Sequence, residues 1–211
     1  MKNINICTPV MGKTLKEFLR NFDQVQEISD MLELRVDKIK DLSEQDLQLI
    51  RKKTIKEAIF TCRRKEIILK ALDLGFDYVD VELSLISNLD LSKRGKTKII
   101  LSFHDFEKTP NIKKLTSTVN CMRKCNVEVL KIATMINDDQ DIKNLFQILL
   151  NKKKDEKMIV VGMGEKGKIT RVLGPLIGSF LTFASTQFGK TASGQIDIKK
   201  MQNIYKLLNY I

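Results

Sequence analysis

Two residues of this sequence, Lys131 and His104, could carry out covalent and proton-transfer chemistry. Lys131 lies inside the apolar run VLKIA at 129–133, where a solvated lysine has no obvious place. Such surroundings favour the neutral amine, which can form a Schiff base with a carbonyl substrate. The structural alternative is a lysine that extends from a strand end to solvent or pairs with Glu82.

His104 is the only histidine of the chain, so a site with several histidine ligands is excluded. A lone histidine often has a structural role. This one ends an apolar run beside Asp105 and precedes the lysine by one run. Because histidine exchanges protons near neutral pH, this position favours a role in proton transfer.

Three arginines also follow apolar runs and could bind an anion: Arg35, Arg63 and Arg171. Their planar guanidinium groups suit carboxylates and phosphates. Salt bridges to nearby acids such as Glu33 and Asp37 are the alternative, and both roles can hold together. The sequence GMGEKG at 162–167 is a weak phosphate-loop signal because it lacks the GK[ST] ending.

The elements that must position these residues are eight β-rich runs separated by segments with helical periodicity. Most runs are continuously apolar, as expected for parallel strands covered by helices. The runs are 3–7, 31–36, 58–61, 78–82, 98–104, 129–133, 158–163 and 181–184. In the intervening segments, Ser43 begins a helix with a capping box, and another helix ends at Gly75. A further short helix is predicted at 84–91.

The spacing of the runs predicts an α/β fold, a (β/α)8 TIM barrel that uses residues 1–211 as a single domain. Strand starts lie 20 to 31 residues apart, the length of a strand-helix unit. An open doubly wound sheet is the alternative, but no GxGxxG follows the first strand. In a barrel the chemistry lies at the C-terminal ends of the strands, where the polar residues above fall.

The amino-acid composition indicates which kinds of partner the chain could bind. The net charge of +11 suits an anionic partner, and only 6% of residues are aromatic. The lysines are scattered rather than clustered with aromatic residues, which argues against a nucleic-acid-binding protein. No apolar stretch approaches a membrane span, and the first ten residues lack a signal-peptide core. Four cysteines without a CxxC pattern favour reduced thiols and a cytoplasmic protein.

The polar motifs, taken together and in order, resemble those of the type I 3-dehydroquinate dehydratases, the Schiff-base enzymes of the shikimate pathway. The motifs are ELRVD at 33–37, TCR at 61–63, DVEL at 80–83, SFHDF at 102–106, KIAT at 131–134, GMGxxGxxxR at 162–171, TFAS at 182–185 and GQ at 194–195. No single motif is decisive, but this number in register is specific.

The resemblance implies a hydro-lyase that converts 3-dehydroquinate to 3-dehydroshikimate and water. Lys131 would form the imine with the substrate ketone, and His104 would act as the general base and then the general acid. Arg171 would hold the substrate carboxylate. The other substrate-binding residues that the resemblance implies are Glu33, Arg35, Arg63, Met163, Phe183, Thr191 and Gln195. It also implies a homodimer and no metal or organic cofactor.

Three positions depart from the family pattern. The lid commonly reads S-x-P-G-Q, whereas 191–195 reads TASGQ, with Thr191 in place of serine and Ser193 in place of proline. The family also commonly has Glu or Gln four residues after the arginine of the third strand. Ile67 stands there in this chain, so Glu66 is the candidate for the acid that orients His104.

The alternative enzyme is a class I Schiff-base aldolase of the same architecture. It would act on a phosphorylated sugar and would need a phosphate site after the seventh and eighth strands, where GMGEKG lies. An inactive protein with the shape of an enzyme is a further alternative, against which Lys131 and His104 both argue. The family's domain is fused to shikimate dehydrogenase in some organisms, so this chain is either monofunctional or an isolated domain.

Overall fold

The computed structural model describes residues 4–92 and 94–210, which form one barrel of parallel strands surrounded by helices. The strands are β1 Ile6–Val10, β2 Met31–Arg35, β3 Glu57–Thr61, β4 Tyr78–Glu82, β5 Lys98–Asp105, β6 Val129–Met135, β7 Lys157–Met163, β8 Thr182–Ser185 and the short β9 Ile196–Asp197. The α-helices are α1 Leu15–Ile28, α2 Glu44–Lys53, α3 Lys65–Leu74, α4 Ile112–Arg123, α5 Asp139–Leu150, α6 Lys168–Leu176 and α7 Ile198–Leu207. The fold class is therefore the predicted TIM barrel.

Every strand from β1 to β7 pairs in parallel with its neighbours in sequence, and β1 also pairs with β8. Backbone and side-chain hydrogen bonds join the first part of β7 to the residues just before β8. The Phe180 amide donates to the Met158 carbonyl at 2.7 Å, and the Val160 amide donates to Ser179 Oγ at 3.3 Å. These contacts hold β8 next to β7, so that both strands line the barrel interior.

Local sequence signals set the ends of two helices as predicted. At α2, Ser43 Oγ accepts from the Asp46 amide at 3.2 Å, and the Asp46 carboxylate accepts from the Ser43 amide at 2.8 Å. The two bonds form a capping box that satisfies amides at the helix start. Helix α3 ends at Gly75, whose φ of 70° lies in the left-handed region that glycine adopts without strain.

Two predicted elements differ in the structure. The first strand lies at Ile6–Val10 instead of 3–7, and residue 3 lies outside the described residues. Pro9 has no amide hydrogen, but the strand tolerates it because the ladder to β8 involves only Ile6 and Cys7. The predicted helix at 84–91 is a turn followed by a single 3-10 turn, Ile86–Asn88.

Inward-facing positions recur every second residue along a strand, and they divide the barrel interior into two chemically different halves. The apolar half contains apolar residues near the strand starts: Met31, Ile59, Tyr78, Ile100, Val129 and Ile159. The charged half contains inward positions nearer the strand ends: Glu33, Arg35, Arg63, Asp80, Glu82, His104 and Lys131. The ionisable side chains of the interior are therefore concentrated at the end of the barrel where the strands end.

Cys7 also packs in the interior with the apolar half, and burial, followed by the charge of Glu33, raises the pKa of its thiol well above the usual value. Cys7 and Cys62 are both fully buried and pack as small apolar side chains, and all four cysteines are free. Among the described residues, no helix is long and apolar enough to cross a membrane.

Candidate active site

Lys131 lies in the middle of β6 and projects into the interior with little exposure to solvent. Its Nζ donates to Asp80 Oδ2 at 2.8 Å and lies 4.7 Å from the centre of the Phe183 ring. Only 6% of the residue is accessible to solvent. The partner of the buried amine is thus Asp80 of β4, rather than Glu82 as the structural alternative proposed.

Asp80 is fully buried and accepts hydrogen bonds from two further residues besides Lys131. Ser102 Oγ donates to its Oδ1 at 2.7 Å, and Arg63 Nη1 lies 3.4 Å from the same oxygen. Burial acts to raise the pKa of Asp80, but the charges of Lys131, His104 and Arg63 outweigh it and hold the pKa well below its usual value. The carboxylate is therefore a permanent negative charge beneath the lysine.

The acid that orients His104 is Glu82, and the expectation for Glu66 is corrected. His104 Nδ1 lies 2.7 Å from Glu82 Oε2, and the His104 amide donates to Glu82 Oε1 at 3.1 Å. Glu66 lies exposed in the first turn of α3. The reason is topological: neighbouring parallel strands end at the same level, so the end of β4 reaches β5 directly, whereas α3 lies outside the barrel.

This pairing defines the roles of the two imidazole nitrogens. A carboxylate can only accept, so Nδ1 carries the proton and Nε2 of the neutral ring is the free base. Phe106 stacks on the ring, with centroids 5.6 Å apart and planes 7° from parallel. The imidazole is therefore fixed in orientation from its edge and from one face.

Arg63 and Arg35 are both bound to carboxylates, so their guanidinium groups are held in place. Arg63 Nη1 lies 3.0 Å from Glu82 Oε2, which also accepts from His104. Arg35 makes a two-bond pair with Asp37, with distances of 2.8 and 2.7 Å. Glu33, only 4% exposed, accepts from Thr61 Oγ1 at 3.3 Å. The salt bridges expected as the alternative role of these arginines are therefore present.

Arg171 differs from the other two arginines because no carboxylate of the described residues is bound to it. Its side chain is buried, Nη2 donates to the Ser193 carbonyl at 3.3 Å, and Nε has no hydrogen-bond partner in the described part of the chain. Burial lowers the pKa of Arg171 to about 10, and Glu33 opposes this effect. At neutral pH the group is a buried cation with unused donors, which is the arrangement that an anionic ligand requires.

Residues 191–195, here called the lid, cover this cavity from the segment after β8. The Gln195 side-chain oxygen accepts from the Thr191 amide at 2.7 Å, and its Nε2 donates to Thr191 Oγ1 at 2.9 Å. The hydroxyl of Thr191 therefore makes a bond within the lid that a serine could also make. Gln195 shapes the lid as well as facing the cavity.

The charged half and the lid enclose a cavity of about 100 Å³. Its walls are formed by Glu33, Arg35, Thr61, Arg63, His104, Phe106, Lys131, Ala133, Val161, Met163, Arg171, Phe183, Thr191, Ala192 and Gln195. Every candidate residue from the sequence except Glu66 lines it. Among the described residues, no group of three or more His, Cys, Asp or Glu side chains is arranged to hold a metal ion.

Sequence reasoning gave no catalytic or positioning role to four residues that contact the catalytic candidates: Asp80, Glu82, Ser102 and Phe106, of which Glu82 was considered only as a structural partner of Lys131. All four lie within the motifs DVEL and SFHDF, so their positions at strand ends were visible. What was missing was the register, which pairs Glu82 with Ser102 and Ser102 with Lys131 across adjacent strands. Placing these strands side by side would have predicted the contacts.

Comparison with known sequences identifies one family. A model of the type I 3-dehydroquinase family matches residues 6–211. The 3-dehydroquinate dehydratase of Coxiella burnetii is 41% identical, with 95% of this chain and 92% of the relative covered. That of Methanocaldococcus jannaschii is 36% identical, with 97% and 99% covered.

Solved structures agree in fold. The 3-dehydroquinate dehydratase from Geobacillus kaustophilus HTA426 superposes with a TM-score of 0.89 at 24% identity and covers 98% of this chain and 91% of that chain. The enzyme from Aquifex aeolicus VF5 has a TM-score of 0.82 at 27% identity, with 99% and 100% covered. By sequence and by fold, the chain belongs to the type I 3-dehydroquinase family.

Proposed function

We propose that this chain converts 3-dehydroquinate to 3-dehydroshikimate and water through an imine on Lys131. The observation that carries the proposal is the buried amine of Lys131, 2.8 Å from Asp80, in the same cavity as the unpaired cation of Arg171. The first group suits a ketone and the second a carboxylate, and the substrate has both. The proposal includes the homodimer that the family resemblance implies and the cytoplasmic location that the cysteine pattern favours.

In the proposed reaction, the ammonium of Lys131 passes one proton to His104 Nε2, and the neutral amine adds to the C3 ketone. The carbinolamine hydroxyl takes that proton and leaves as water, so an iminium cation remains and His104 is neutral again. Asp80 stays charged beneath it and stabilises the iminium cation that results. The iminium withdraws electrons from C2, which makes the C2 proton more acidic. The Phe183 ring, whose face lies against Lys131 Nζ, limits access of water from one side.

His104 then moves one proton between two positions of the substrate. Nε2 accepts the C2 proton, and Glu82 stabilises the imidazolium that forms. The same proton passes to the C1 hydroxyl, which departs as water as the C1–C2 double bond forms. Hydrolysis of the product imine consumes the water released at the start, so the net change is loss of one water.

Arg171 binds the carboxylate in this proposal, and the arginine–carboxylate contact orients C1 and C2 toward His104. At the other end, Glu33, Arg35 and Arg63 hold the ring hydroxyls. Met163 of β7 and Phe183 of β8 supply apolar walls. With the lid closed, bulk water is excluded from the imine.

The aldolase alternative lacks a comparable observation. Its phosphate would need free amides in the loop at 162–167. The Gly164 amide already donates to Ser193, and the Gly162 amide donates to Thr170 Oγ1 at 2.7 Å. The loop therefore supports the lid and helix α6 rather than offering a phosphate cradle.

The test is an assay of purified protein with 3-dehydroquinate, in which 3-dehydroshikimate is quantified by chromatography. The variant Arg171→Gln removes the buried cation, and we expect kcat/KM to fall by about 100-fold or more because charge-assisted bonds to the carboxylate are lost. Arg20→Gln, on the exposed face of α1, is the matched control and should behave as wild type. Cleavage of a phosphorylated sugar without 3-dehydroshikimate formation would contradict the proposal.

A further inference from the structure

The lid is attached to the loop between β7 and α6 through Ser193, a residue that has no part in the proposed chemistry. The Gly164 amide donates to Ser193 Oγ at 3.0 Å and to the Ser193 carbonyl at 3.3 Å. The same carbonyl accepts from Arg171 Nη2 at 3.3 Å. Ser193 therefore connects the lid both to the loop and to the buried arginine.

The backbones of the lid and the loop meet directly beside this contact. Gly194 has a φ of 76°, and a Cβ placed on it would lie 2.1 Å from the Gly164 carbonyl oxygen. Glycine is required here, because a side chain would separate the two segments. The position at which the lid lands on the barrel is thus fixed by geometry, and Ser193 provides the hydrogen bonds at that position.

Ser193 occupies the lid position where the family pattern commonly has proline. Proline would stiffen the lid by restricting its backbone in the open state. Serine gives no such restriction, but its hydroxyl oxygen can accept a hydrogen bond, which a proline side chain cannot do. Proline would restrict the backbone of the open lid. Serine in this chain instead supplies a hydrogen bond to Gly164 that forms when the lid is closed.

We propose that Ser193 is a positioning residue that holds the lid closed over the cavity by accepting the hydrogen bond of the Gly164 amide. The proposal rests on the proposed function, since closure matters because Thr191, Ala192 and Gln195 of the lid complete the wall around Lys131. Ser193 contacts both Arg171, the proposed carboxylate-binding group, and Gly164 of the loop on which the closed lid rests. Closure and carboxylate binding therefore support each other.

Ser193→Ala removes the shorter of the two Ser193–Gly164 bonds and keeps the lid sequence otherwise intact. Loss of one neutral hydrogen bond should make opening of the lid about 2- to 10-fold more frequent. Lys190, which is exposed and immediately precedes the lid, provides a cleavage site for trypsin. Because proteolysis of a native protein requires local opening, the rate at which the peptide ending at Lys190 appears should rise by the same factor.

Two further variants separate the hydroxyl from a general loss of stability. Ser117→Ala alters an exposed serine of α4, far from the lid in sequence and on the outer layer, and should be cleaved at the wild-type rate. Ser193→Thr retains the acceptor oxygen and should restore slow cleavage. Equal rates for wild type and Ser193→Ala would overturn the proposal, and so would fast cleavage that Ser193→Thr does not reverse.

Kinetics with 3-dehydroquinate give a second readout. Because the hydrogen bond is the same in the substrate complex and in the transition state, its loss should raise KM and leave kcat within about 2-fold. A lower kcat at unchanged KM would place Ser193 in the chemical step and overturn its positioning role. If wild type forms no 3-dehydroshikimate, the proposed function fails, while the trypsin comparison on the unliganded chain still decides the role of Ser193.

Discussion

The two halves of the barrel interior are built on the same strands and the same two-residue period, yet they contain opposite chemistry. On β4 the inward positions run from Tyr78 to Asp80 and Glu82, and on β5 from Ile100 to Ser102 and His104. The apolar half removes hydrocarbon from water and stabilises the fold. The charged half brings ions into a buried space, where each costs solvation free energy unless it is paired.

The difference shows how the barrel tolerates a buried cluster of charges. Asp80 faces Lys131 and Arg63, and Glu82 faces Arg63 and the His104 ring, so each of these two acids is paired with at least one cation. Arg171 is the exception among the described cations of the cavity, because no carboxylate is bound to it. The cation whose pairing is incomplete is thus the one proposed to bind the substrate anion.

The largest expected effect comes from removing the amine at the centre of the charged half. Lys131→Met keeps the length of the side chain but cannot form an imine, and we expect a loss in kcat on the order of 10⁴-fold or more. Steady-state assay of product formation measures it. Lys143→Met, on the exposed face of α5, is the control. Near-wild-type kcat for Lys131→Met would show that the charged half is structural.

A smaller effect should follow from altering the acid that orients the imidazole. Glu82→Gln retains the shape but lets the Nδ1 proton and tautomer change, so we expect kcat to fall by about 10²- to 10³-fold and its pH profile to shift. Glu66→Gln, the acid expected from sequence alone, is the matched comparison and should leave both unchanged. A greater loss for Glu66→Gln would reverse the assignment made from the geometry.

The stability of the charged half should depend on acid in a direction that Asp80 determines. Its pKa is lower in the folded chain than in the unfolded chain, so its contribution is complete above about pH 4 and disappears as the pH falls further. Between about pH 5 and pH 2 the unfolding free energy of both proteins should fall, and the fall should be about 2–3 kcal/mol smaller for Asp80→Asn than for wild type. Denaturant unfolding at several pH values measures this slope.

For that comparison, Asp155→Asn alters an exposed aspartate of the loop between α5 and β7. It should follow the acid dependence of wild type. If Asp80→Asn also follows wild type, the buried ion pair with Lys131 does not contribute to the acid sensitivity of the fold.

The smallest effect is expected in the apolar half. Ile59→Val removes one buried methylene and should lower the unfolding free energy by about 0.5–1.5 kcal/mol while kcat/KM stays within about 2-fold. Denaturant melts and steady-state kinetics on the same preparation separate the two quantities. A ten-fold loss of kcat/KM at this position would mean that the two halves are not functionally distinct.

Much of the barrel could be predicted from the sequence because strand spacing and apolar runs are local signals. β4 has the predicted ends, whereas β1 is displaced because Pro9, which looks like a turn residue, is tolerated beside the short ladder to β8. The segment 84–91 lacks a full helix, and no local pattern distinguished its 3-10 turn from a short α-helix.

The candidate site was predictable as a set of residues but not as a set of contacts. Lys131 and His104 stand out because charged residues are unusual inside apolar runs. The partners Asp80 and Glu82 depend on the register between β4, β5 and β6, which the sequence of one strand does not contain. Glu66 attracted attention because it is near Arg63 in sequence, but nearness along the chain does not place it inside the barrel.

The most direct measurement is reduction with borohydride in the presence of 3-dehydroquinate, followed by intact-mass measurement and peptide mapping. We expect a substrate-dependent adduct on Lys131 that is absent from Lys131→Met. An adduct on another lysine would retain Schiff-base chemistry but contradict the assigned site. No adduct together with no 3-dehydroshikimate would contradict the proposed reaction itself.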